Sequence, residues 1–185
     1  MSAPPQMRRA DKAMPEDQAM AVLESGFCGR LAVIGADGYP YCVPLLYVLM
    51  DGALYVHNAR APGHLKSAIA NEPRVCFEMD EPGEIFPYGR FECDTSVAFR
   101  SVIVFGKARI VEDTAVKQRF FTALMGKYAK NIGERPKDFF PRLDQITLYA
   151  IVIERMTGKE TPLPELSERW PAQDRTKTPA ARLPD

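Results

Sequence analysis

Runs of apolar residues, separated by turn-forming residues, divide the chain into six predicted β-strands. The six strands are Leu31 to Ile34, Tyr41 to Met50, Ala53 to Asn58, Arg74 to Met79, Val97 to Val111 and Ile146 to Ile153. The run Tyr41 to Met50 is apolar at odd and even positions alike, which predicts burial on both of its faces. One face should meet the core and the other a partner or a cofactor. Asp51-Gly52, directly after this run, predicts a tight hairpin into the next strand.

Three helices are predicted before and between these strands. The first runs from Pro15 to Ser25, with Gly26 as its stop, and would plug one end of a barrel. The second begins after Pro62-Gly63, and Asp113 caps the third, whose apolar residues recur at four-residue spacing. These apolar residues are Val116, Phe120, Leu124 and Tyr128. Six antiparallel strands with a few helices predict a mainly β fold of α+β character, built on a small barrel.

The longest predicted connection is the polar segment from Asp80 to Ser96, which contains two prolines and two glycines. Connections of more than about 12 to 15 residues are uncommon unless they have a function. The segment also carries Phe86, Tyr88 and Phe91, which a mobile loop would have little reason to expose. We therefore expect it to be ordered as part of the wall or lid of a site.

Composition and charge are typical of one globular domain that binds a small partner. The chain has 185 residues with 46% hydrophobic content, which suffices for one core. We expect a flexible arm over residues 1–14, the domain over 15–156 and an extended, Pro-rich tail over 157–185. Twenty-four basic residues balance 24 acidic ones, so no overall charge attracts nucleic acid or an anionic membrane. No stretch approaches the roughly 18 apolar residues of a membrane span, and we expect a cytoplasmic protein.

The cysteines and histidines show neither a disulfide framework nor a metal site. The four cysteines are Cys28, Cys42, Cys76 and Cys93. They form no CxxC pair, and three lie within apolar runs, where a free thiol packs as a small hydrophobe. We therefore expect reduced, buried thiols. His57 and His64 lack the helical spacing of a zinc site, so no metal is expected.

A group of basic residues around the start of the second helix predicts a phosphate site. Arg60, His64 and Lys66 bring cations to a point where helix N–H groups are free and the helix dipole favours an anion. His57 and Asn58 end the preceding strand. On spacing alone, two ordinary interpretations stay open, namely a solvated helix start with a snorkelling lysine and a plain strand end.

These features resemble, in order and residue type, a known family of flavoproteins. The stretch Gly38 to Pro73, GYPYCVPLLYVLMDGALYVHNARAPGHLKSAIANEP, is similar to the flavin-binding core of the pyridoxamine 5'-phosphate oxidase-like split-barrel family, in particular its nitroimidazole-resistance branch. The strand FRSVIVFGKARIVED and the ending ERMTGKE are similar to the same branch, and the resemblance covers residues 14–160. It implies a six-stranded antiparallel split β-barrel with flanking helices, which binds FMN and forms a homodimer.

The resemblance also assigns roles to residues of this chain. Two FMN molecules are expected in the subunit interface. The middle of the second strand lines the isoalloxazine ring, the basic group holds the phosphate, and Arg100 and Ser101 approach from the partner subunit. The implied cofactor-binding residues are Val43, Pro44, Leu45, Tyr47, His57, Asn58, Arg60, His64, Lys66, Arg100 and Ser101. No residue is evident as the catalytic acid or base, and Tyr47 and His57 are the nearest candidates.

The implied function is that of an FMN-dependent oxidoreductase, which a nicotinamide reduces and which passes electrons to a small organic acceptor such as a nitro compound. True pyridoxamine phosphate oxidases carry basic residues where this chain has VPLLYV, which argues against vitamin B6 oxidation itself. Two alternatives stay open. One is a non-enzymatic flavin- or haem-binding or sensing module, in which His57 or His64 ligates haem. The other is a deazaflavin-dependent reductase, which would require a more basic groove.

Overall fold

The computed structural model describes residues 7–130 and 133–170, and these contain eight β-strands and three α-helices. The strands are β1 (Ala13–Met14), β2 (Gly29–Ile34), β3 (Pro40–Leu45), β4 (Tyr47–Met50), β5 (Ala53–Ala59), β6 (Arg74–Pro87), β7 (Thr95–Val111) and β8 (Ile146–Thr161). The helices are α1 (Glu16–Ser25), α2 (His64–Asn71) and α3 (Thr114–Tyr128). The strands form one antiparallel sheet in the order β3-β2-β6-β7-β8-β5-β4, and β1 pairs with β8. The mainly β barrel with flanking helices is thus confirmed.

Local signals in the sequence set the limits of several elements. Asp113 accepts hydrogen bonds from the N–H groups of Ala115 and Val116, at 2.7 and 3.1 Å, and thereby caps α3 as predicted. Asp51 and Gly52 have φ values of 53° and 73°, which are both in the left-handed region that a type I′ hairpin turn requires. The predicted hairpin between β4 and β5 is therefore confirmed.

The sheet separates two hydrophobic cores. Leu54 and Val56 of β5 point into the barrel, where they join buried residues of α1 and α2. Ala53 and Tyr55, at the alternate positions, pack beneath α3. Phe120 of α3 is fully buried in this second core. One helix thus covers the part of the outer sheet surface that β4, β5 and the start of β8 provide.

The predicted strand Tyr41 to Met50 is wrong as a single strand, because it is interrupted at Leu46. The first half, β3, pairs with β2, and the second half, β4, pairs with β5. These are the two ends of the sheet order, so the covalent chain itself joins them. Together with the short β1, this division gives eight strands where six were expected. Burial on both faces holds only for β4, since Pro44 and Leu46 are exposed.

The segment Asp80 to Ser96 is wrong as a long connection, because strands occupy most of it. β6 continues to Pro87 and β7 begins at Thr95, which leaves residues 88–94 as the turn. Cross-strand charges helped to hide this hairpin in the sequence. Glu81 pairs with Arg100 of the opposite strand at 2.5 Å, and such alternating charges look like those of a loop.

The last strand also extends beyond its predicted end at Ile153. β8 reaches Thr161, so residues 157–161, which the sequence analysis gives to the tail, belong to the sheet. At the other end of the chain, Ala13 pairs with Lys159. Residues 1–6 of the predicted arm and residues 171–185 of the predicted tail lie outside the described residues.

The four cysteines are free, as expected, but they are not all buried. Cys28 and Cys76 are half-buried, whereas Cys42 and Cys93 are exposed. The prediction of buried thiols is therefore wrong for the last two. Cys42 lies on the outer surface of the end strand β3, which nothing in the described chain covers.

Hydrogen bonds from α1 and α3 fix the position of the interruption between β3 and β4. The Tyr128 hydroxyl accepts a hydrogen bond from the Tyr47 N–H at 3.3 Å and donates one to the Tyr47 carbonyl at 2.9 Å. The Tyr47 hydroxyl in turn donates to the Leu23 carbonyl at 2.5 Å. These bonds satisfy backbone groups of the first residue of β4, where the pairing partner changes.

Lys127, the neighbour of Tyr128, places its amine in the same region. The Lys127 Nζ atom is buried 3.9 Å from the centre of the Tyr47 ring and has no hydrogen-bond partner among the described residues. Burial lowers the pKa of Lys127 to about 8, although the carboxylate of Glu24 acts in the opposite direction. The ring face of Tyr47 supplies the principal contact of the ammonium group.

Replacement of Lys127 by Met should stabilise the protein at neutral pH, by an amount that disappears in alkaline solution. The unfolded lysine has a pKa of 10.5, so between pH 8 and 10.5 the unfolded chain binds the proton more tightly than the folded one. The contribution of Lys127 to the free energy of unfolding therefore rises over this interval. We expect Lys127→Met to be more stable by on the order of 1 kcal/mol at pH 7, since solvent screens a half-buried group. Urea unfolding of both proteins between pH 7 and pH 10 tests this, and a constant difference across that range would contradict it.

Candidate functional site

The open edge of β3 and the start of α2 meet at one end of the barrel. β3 ends the sheet order, so one backbone edge has no strand partner among residues 7–130 and 133–170. The His64 ring, on the first residue of α2, packs edge-on against Tyr41 of β3, with 4.6 Å between the ring centres. An unpaired strand edge and a helix start are thus adjacent.

The start of α2 has no side chain that caps it. Gly63 occupies the N-cap position, where no side-chain hydrogen bond is made, and the first turn contains no acidic residue. The first N–H groups of a helix lack intrahelical partners and carry a partial positive charge. Lys66 lies in the same first turn and is half-buried. This end of the helix can therefore accept an anion.

The turn between β2 and β3 comes very close to the same helix start. A Cβ atom on the buried Gly35 would lie 2.6 Å from Asp37 Oδ1 and 3.0 Å from His64 Nε2. Only glycine leaves this space open. The Asp37 carboxylate is held in place by the Tyr39 N–H, which donates to it at 3.1 Å. Sequence reasoning missed Gly35 and Tyr41, because only the fold brings the β2–β3 turn to α2.

Arg60, the third member of the predicted basic group, lies elsewhere in this structure. Its guanidinium donates to the Asp144 carbonyl at 2.9 Å, and its backbone N–H donates to the Gln145 carbonyl. The side chain lines a separate cleft of about 430 Å³ beside the first turn of α3. The structure therefore places His64 and Lys66 together at α2 and directs the Arg60 side chain away from them.

His57 and Asn58 point to opposite faces of β5. The His57 ring packs edge-on against Phe120 and Phe121, at 5.3 Å from each, and its buried Nδ1 has no hydrogen-bond partner in the described part of the chain. Burial lowers the pKa of this imidazole, which favours its neutral form. Asn58 Oδ1 accepts from the Tyr149 hydroxyl at 3.3 Å within the barrel. The two side chains do not share one surface.

The four cofactor-binding residues predicted on β3 and β4 also point to different sides of the sheet. Val43 and Leu45 pack against the barrel core, and Pro44 faces outward. Tyr47 is completely buried, and burial raises the pKa of its phenol. Because that hydroxyl donates a hydrogen bond to the Leu23 carbonyl, the Tyr47 side chain is part of the barrel core. Only the backbone edge of β3 and the outward side chains can meet a ligand.

Arg100 and Ser101 lie on β7, on opposite faces. Arg100 is exposed and forms the ion pair with Glu81 described above. Ser101 faces the outer side of the sheet, where it lines a depression of about 290 Å³ with Ile103 and Phe105. The Arg155 guanidinium covers the Phe105 ring at 4.2 Å from its centre. This part of the outer sheet is not covered by α3 or by any other described element.

Two further properties of the described residues concern metal binding and membrane insertion. No three His, Cys, Asp or Glu side chains in residues 7–130 and 133–170 lie close enough together to hold a metal ion. The helices in this part of the chain are all too short or too polar to cross a bilayer.

Several solved structures share the fold. They include an FAD-binding protein from Mesorhizobium loti, which is 25% identical with a TM-score of 0.59 and covers 81% of this chain and 97% of its own. A flavocytochrome from Azotobacter vinelandii is 18% identical, with a TM-score of 0.73 and coverage of 97% and 92%. A proposed 5-nitroimidazole antibiotic resistance protein from Bacteroides thetaiotaomicron is 18% identical, with a TM-score of 0.65 and coverage of 80% and 86%.

The search among curated proteins gives no match. The family model described as pyridoxamine 5'-phosphate oxidase, however, matches residues 15–160, which include all eleven residues predicted to contact a cofactor. The match spans α1 and nearly all of the sheet. It confirms the family predicted from the sequence, and the chain therefore belongs to the pyridoxamine 5'-phosphate oxidase family.

Proposed function

We propose that the protein is an FMN-dependent oxidoreductase that acts as a homodimer, accepts electrons from a nicotinamide and reduces a small organic acceptor such as a nitro compound. The observation that carries this proposal is the uncapped start of α2 beside the open edge of β3. Membership of the family and the flavin-binding neighbours among the solved structures support it.

The start of α2 provides what the FMN phosphate needs. The free N–H groups after Gly63 would donate to phosphate oxygens, and His64 and Lys66 would add charge-assisted hydrogen bonds. Gly35 would keep the space beside His64 open, since a Cβ there would approach within 3.0 Å of His64 Nε2. The Asp37 carboxylate is already engaged by the Tyr39 N–H, which reduces its repulsion of an anion.

The edge of β3 provides what a flat heteroaromatic ring needs. Its unpaired N–H and C=O groups would bond the polar edge of the isoalloxazine, and the outward Pro44 and Leu46 offer apolar contact. A bound FMN would supply the redox chemistry, while the protein holds, orients and shields it. No side chain in the described part of the chain is assigned as an acid or base, so these residues are assigned only to binding.

The uncovered half of the outer sheet would form the subunit interface. Ile103 there is 37% exposed, and it is flanked by Ser101, Phe105 and the cationic side chain of Arg155. Ser101 could reach a cofactor held at β3 only from a second subunit, because it faces away from the barrel that contains β3. This geometry supports a homodimer in which each subunit completes the site of the other.

The alternative function is that of a non-enzymatic module that binds flavin or haem. Two observations favour it. His64 is exposed next to an aromatic ring, where an imidazole can ligate haem iron, and one structural neighbour is a flavocytochrome. The absorption spectrum and the mass of the molecule that copurifies with the protein separate the two cofactors. Reduction of the bound flavin by a nicotinamide, followed by transfer to a nitroaromatic acceptor, separates an enzyme from a storage module.

Replacement of both His64 and Lys66 by Ala should weaken FMN binding by at least about tenfold, since each charge-assisted hydrogen bond contributes about 1.5 to 3 kcal/mol. Riboflavin, which lacks the phosphate, should bind equally well to the variant and the wild type. Quenching of flavin fluorescence measures both dissociation constants. Gly35→Ala should act in the same direction, because its methyl group would lie 2.6 Å from Asp37 Oδ1 and 3.0 Å from His64 Nε2 and both side chains would have to move.

Arg60→Gln is the matched control, since the Arg60 guanidinium bonds to Asp144 and lies apart from α2. It should leave the preference for FMN over riboflavin unchanged. A loss in Arg60→Gln equal to that in the double variant would show that Arg60 turns toward the phosphate. Equal losses of affinity for FMN and for riboflavin in the double variant would show that His64 and Lys66 do not bind the phosphate.

Light scattering should give about twice the chain mass of 20.7 kDa. Ile103→Glu, which places a charge on the uncovered sheet surface, should yield a folded monomer with weakened FMN binding. Circular dichroism reports whether the variant stays folded. A wild type that is monomeric at micromolar concentration, or a monomeric Ile103→Glu that binds FMN normally, would contradict the shared site.

A further inference from the structure

A second cavity is lined by residues that are distant in sequence from every residue of the proposed flavin site. It has a volume of about 640 Å³ and lies between α3 and the segment over residues 135–140. Pockets for small molecules typically have volumes of about 300 to 1,000 Å³. The lining residues on α3 and just after it are Thr122, Met125, Gly126, Ala129 and Lys130.

The sequence of α3 builds the floor of this cavity. Its lining residues recur at helical spacing on one face, opposite the buried face that carries Phe120 and Leu124. Gly126 lies at the centre, and a Cβ atom there would meet nothing within 4 Å. Glycine within a helix costs roughly 0.5 to 1 kcal/mol relative to alanine, and here no close packing requires it. The absent side chain leaves the floor open.

The opposite wall is pinned to α3 at one residue. Asp138 Oδ1 accepts a hydrogen bond from the Thr122 hydroxyl, and the Asp138 carbonyl accepts one from Gln118 Nε2, both at 2.7 Å. Asp138 adopts a φ of 54°, in the left-handed region that is unfavourable for most residues. The Phe140 ring packs on Phe121 of α3 at 5.4 Å. The wall is thus attached to α3 at Asp138 and at Phe140.

The lining of the cavity combines positive charge with apolar surface. Lys130, Arg135 and Lys137 supply three cations, whereas the only carboxylate in the lining, that of Asp138, is bonded to Thr122. Apolar contact comes from Met125 and from Phe139, which is 65% exposed. This combination is complementary to a molecule with an apolar body and an anionic end.

We propose that the cavity beside α3 binds a small amphipathic anion, with an aromatic or aliphatic body on the Gly126 floor and a carboxylate, sulfonate or phosphate among Lys130, Arg135 and Lys137. The site is distinct from the flavin site, because none of its lining residues belongs to α2, β3 or β7. It therefore stands whether or not the protein binds FMN.

The first test is a fluorescence titration with 8-anilinonaphthalene-1-sulfonate, an aromatic sulfonate, against wild type and Gly126→Leu. The leucine side chain fills the floor and should weaken binding at least tenfold, and it favours the helix, so the variant should fold. Ala115→Leu is the matched control, because it adds the same side chain to α3 at an exposed position outside the cavity. It should bind the probe as the wild type does.

The second test concerns charge. Replacement of Lys130, Arg135 and Lys137 together by Gln should also weaken the sulfonate probe at least tenfold and remove most of its dependence on salt. The neutral analogue N-phenyl-1-naphthylamine should bind the wild type more weakly than the sulfonate and should not distinguish this variant. Unchanged sulfonate binding in Gly126→Leu, or equal binding of the two probes to the wild type, would overturn the proposal. FMN affinity should be the same in all of these proteins.

Discussion

The structure depends on one constraint, namely that a single apolar run must pair with two different strands at opposite ends of the sheet. β3 pairs with β2, and β4 pairs with β5, so the chain at Leu46 joins the two ends of the sheet order. The barrel is closed by the covalent chain in place of a hydrogen-bonded ladder. Side chains keep their alternation through the break, since Leu45 and Tyr47 both face the core. The backbone groups released at Tyr47 are bonded by the Tyr128 hydroxyl.

The break also determines which surfaces stay open. A barrel closed by a continuous hydrogen-bonded ladder has no free edge, whereas here one edge of β3 lacks a strand partner in the described chain. α3 covers the outer surface over β4 and β5, because Tyr128 ties its last turn to the start of β4. The outer surface over β6, β7 and the second half of β8 has no such helix. The open edge and the uncovered surface are therefore two consequences of the same topology.

Much of the fold could be predicted because short-range signals specify it. The Asp113 cap and the Asp51-Gly52 turn act through neighbouring backbone groups, so the sequence alone reveals them. The hairpin of β6 and β7 escaped detection because its part beyond the barrel carries charged residues and exposes apolar ones such as Ile85, at 69% exposure. The interruption at Leu46 escaped for a different reason. No local signal distinguishes a strand that changes partners from one that keeps them.

The residues of the candidate site that lie close together in one segment could be predicted from the sequence. Those whose position depends on contacts distant in sequence could not. His64 and Lys66 belong to the first turn of α2, and their proximity follows from helical geometry. The direction of Arg60 depends on Asp144, which is distant in sequence. The opposite directions of His57 and Asn58 follow from strand alternation, a rule that was available from the sequence and that the family resemblance obscured.

α3 combines two tasks that make opposite demands on a helix. Its inner face needs precise packing, because Phe120 and Leu124 fill a core and Tyr128 fixes the change of strand partner. Its outer face has Gly126 over open space, which lowers helix stability. The helix tolerates this glycine because its start is capped by Asp113 and its inner face is anchored before and after position 126, by Leu124 and Tyr128. Stability is thus supplied on one side of the helix, and the space for a ligand is left on the other.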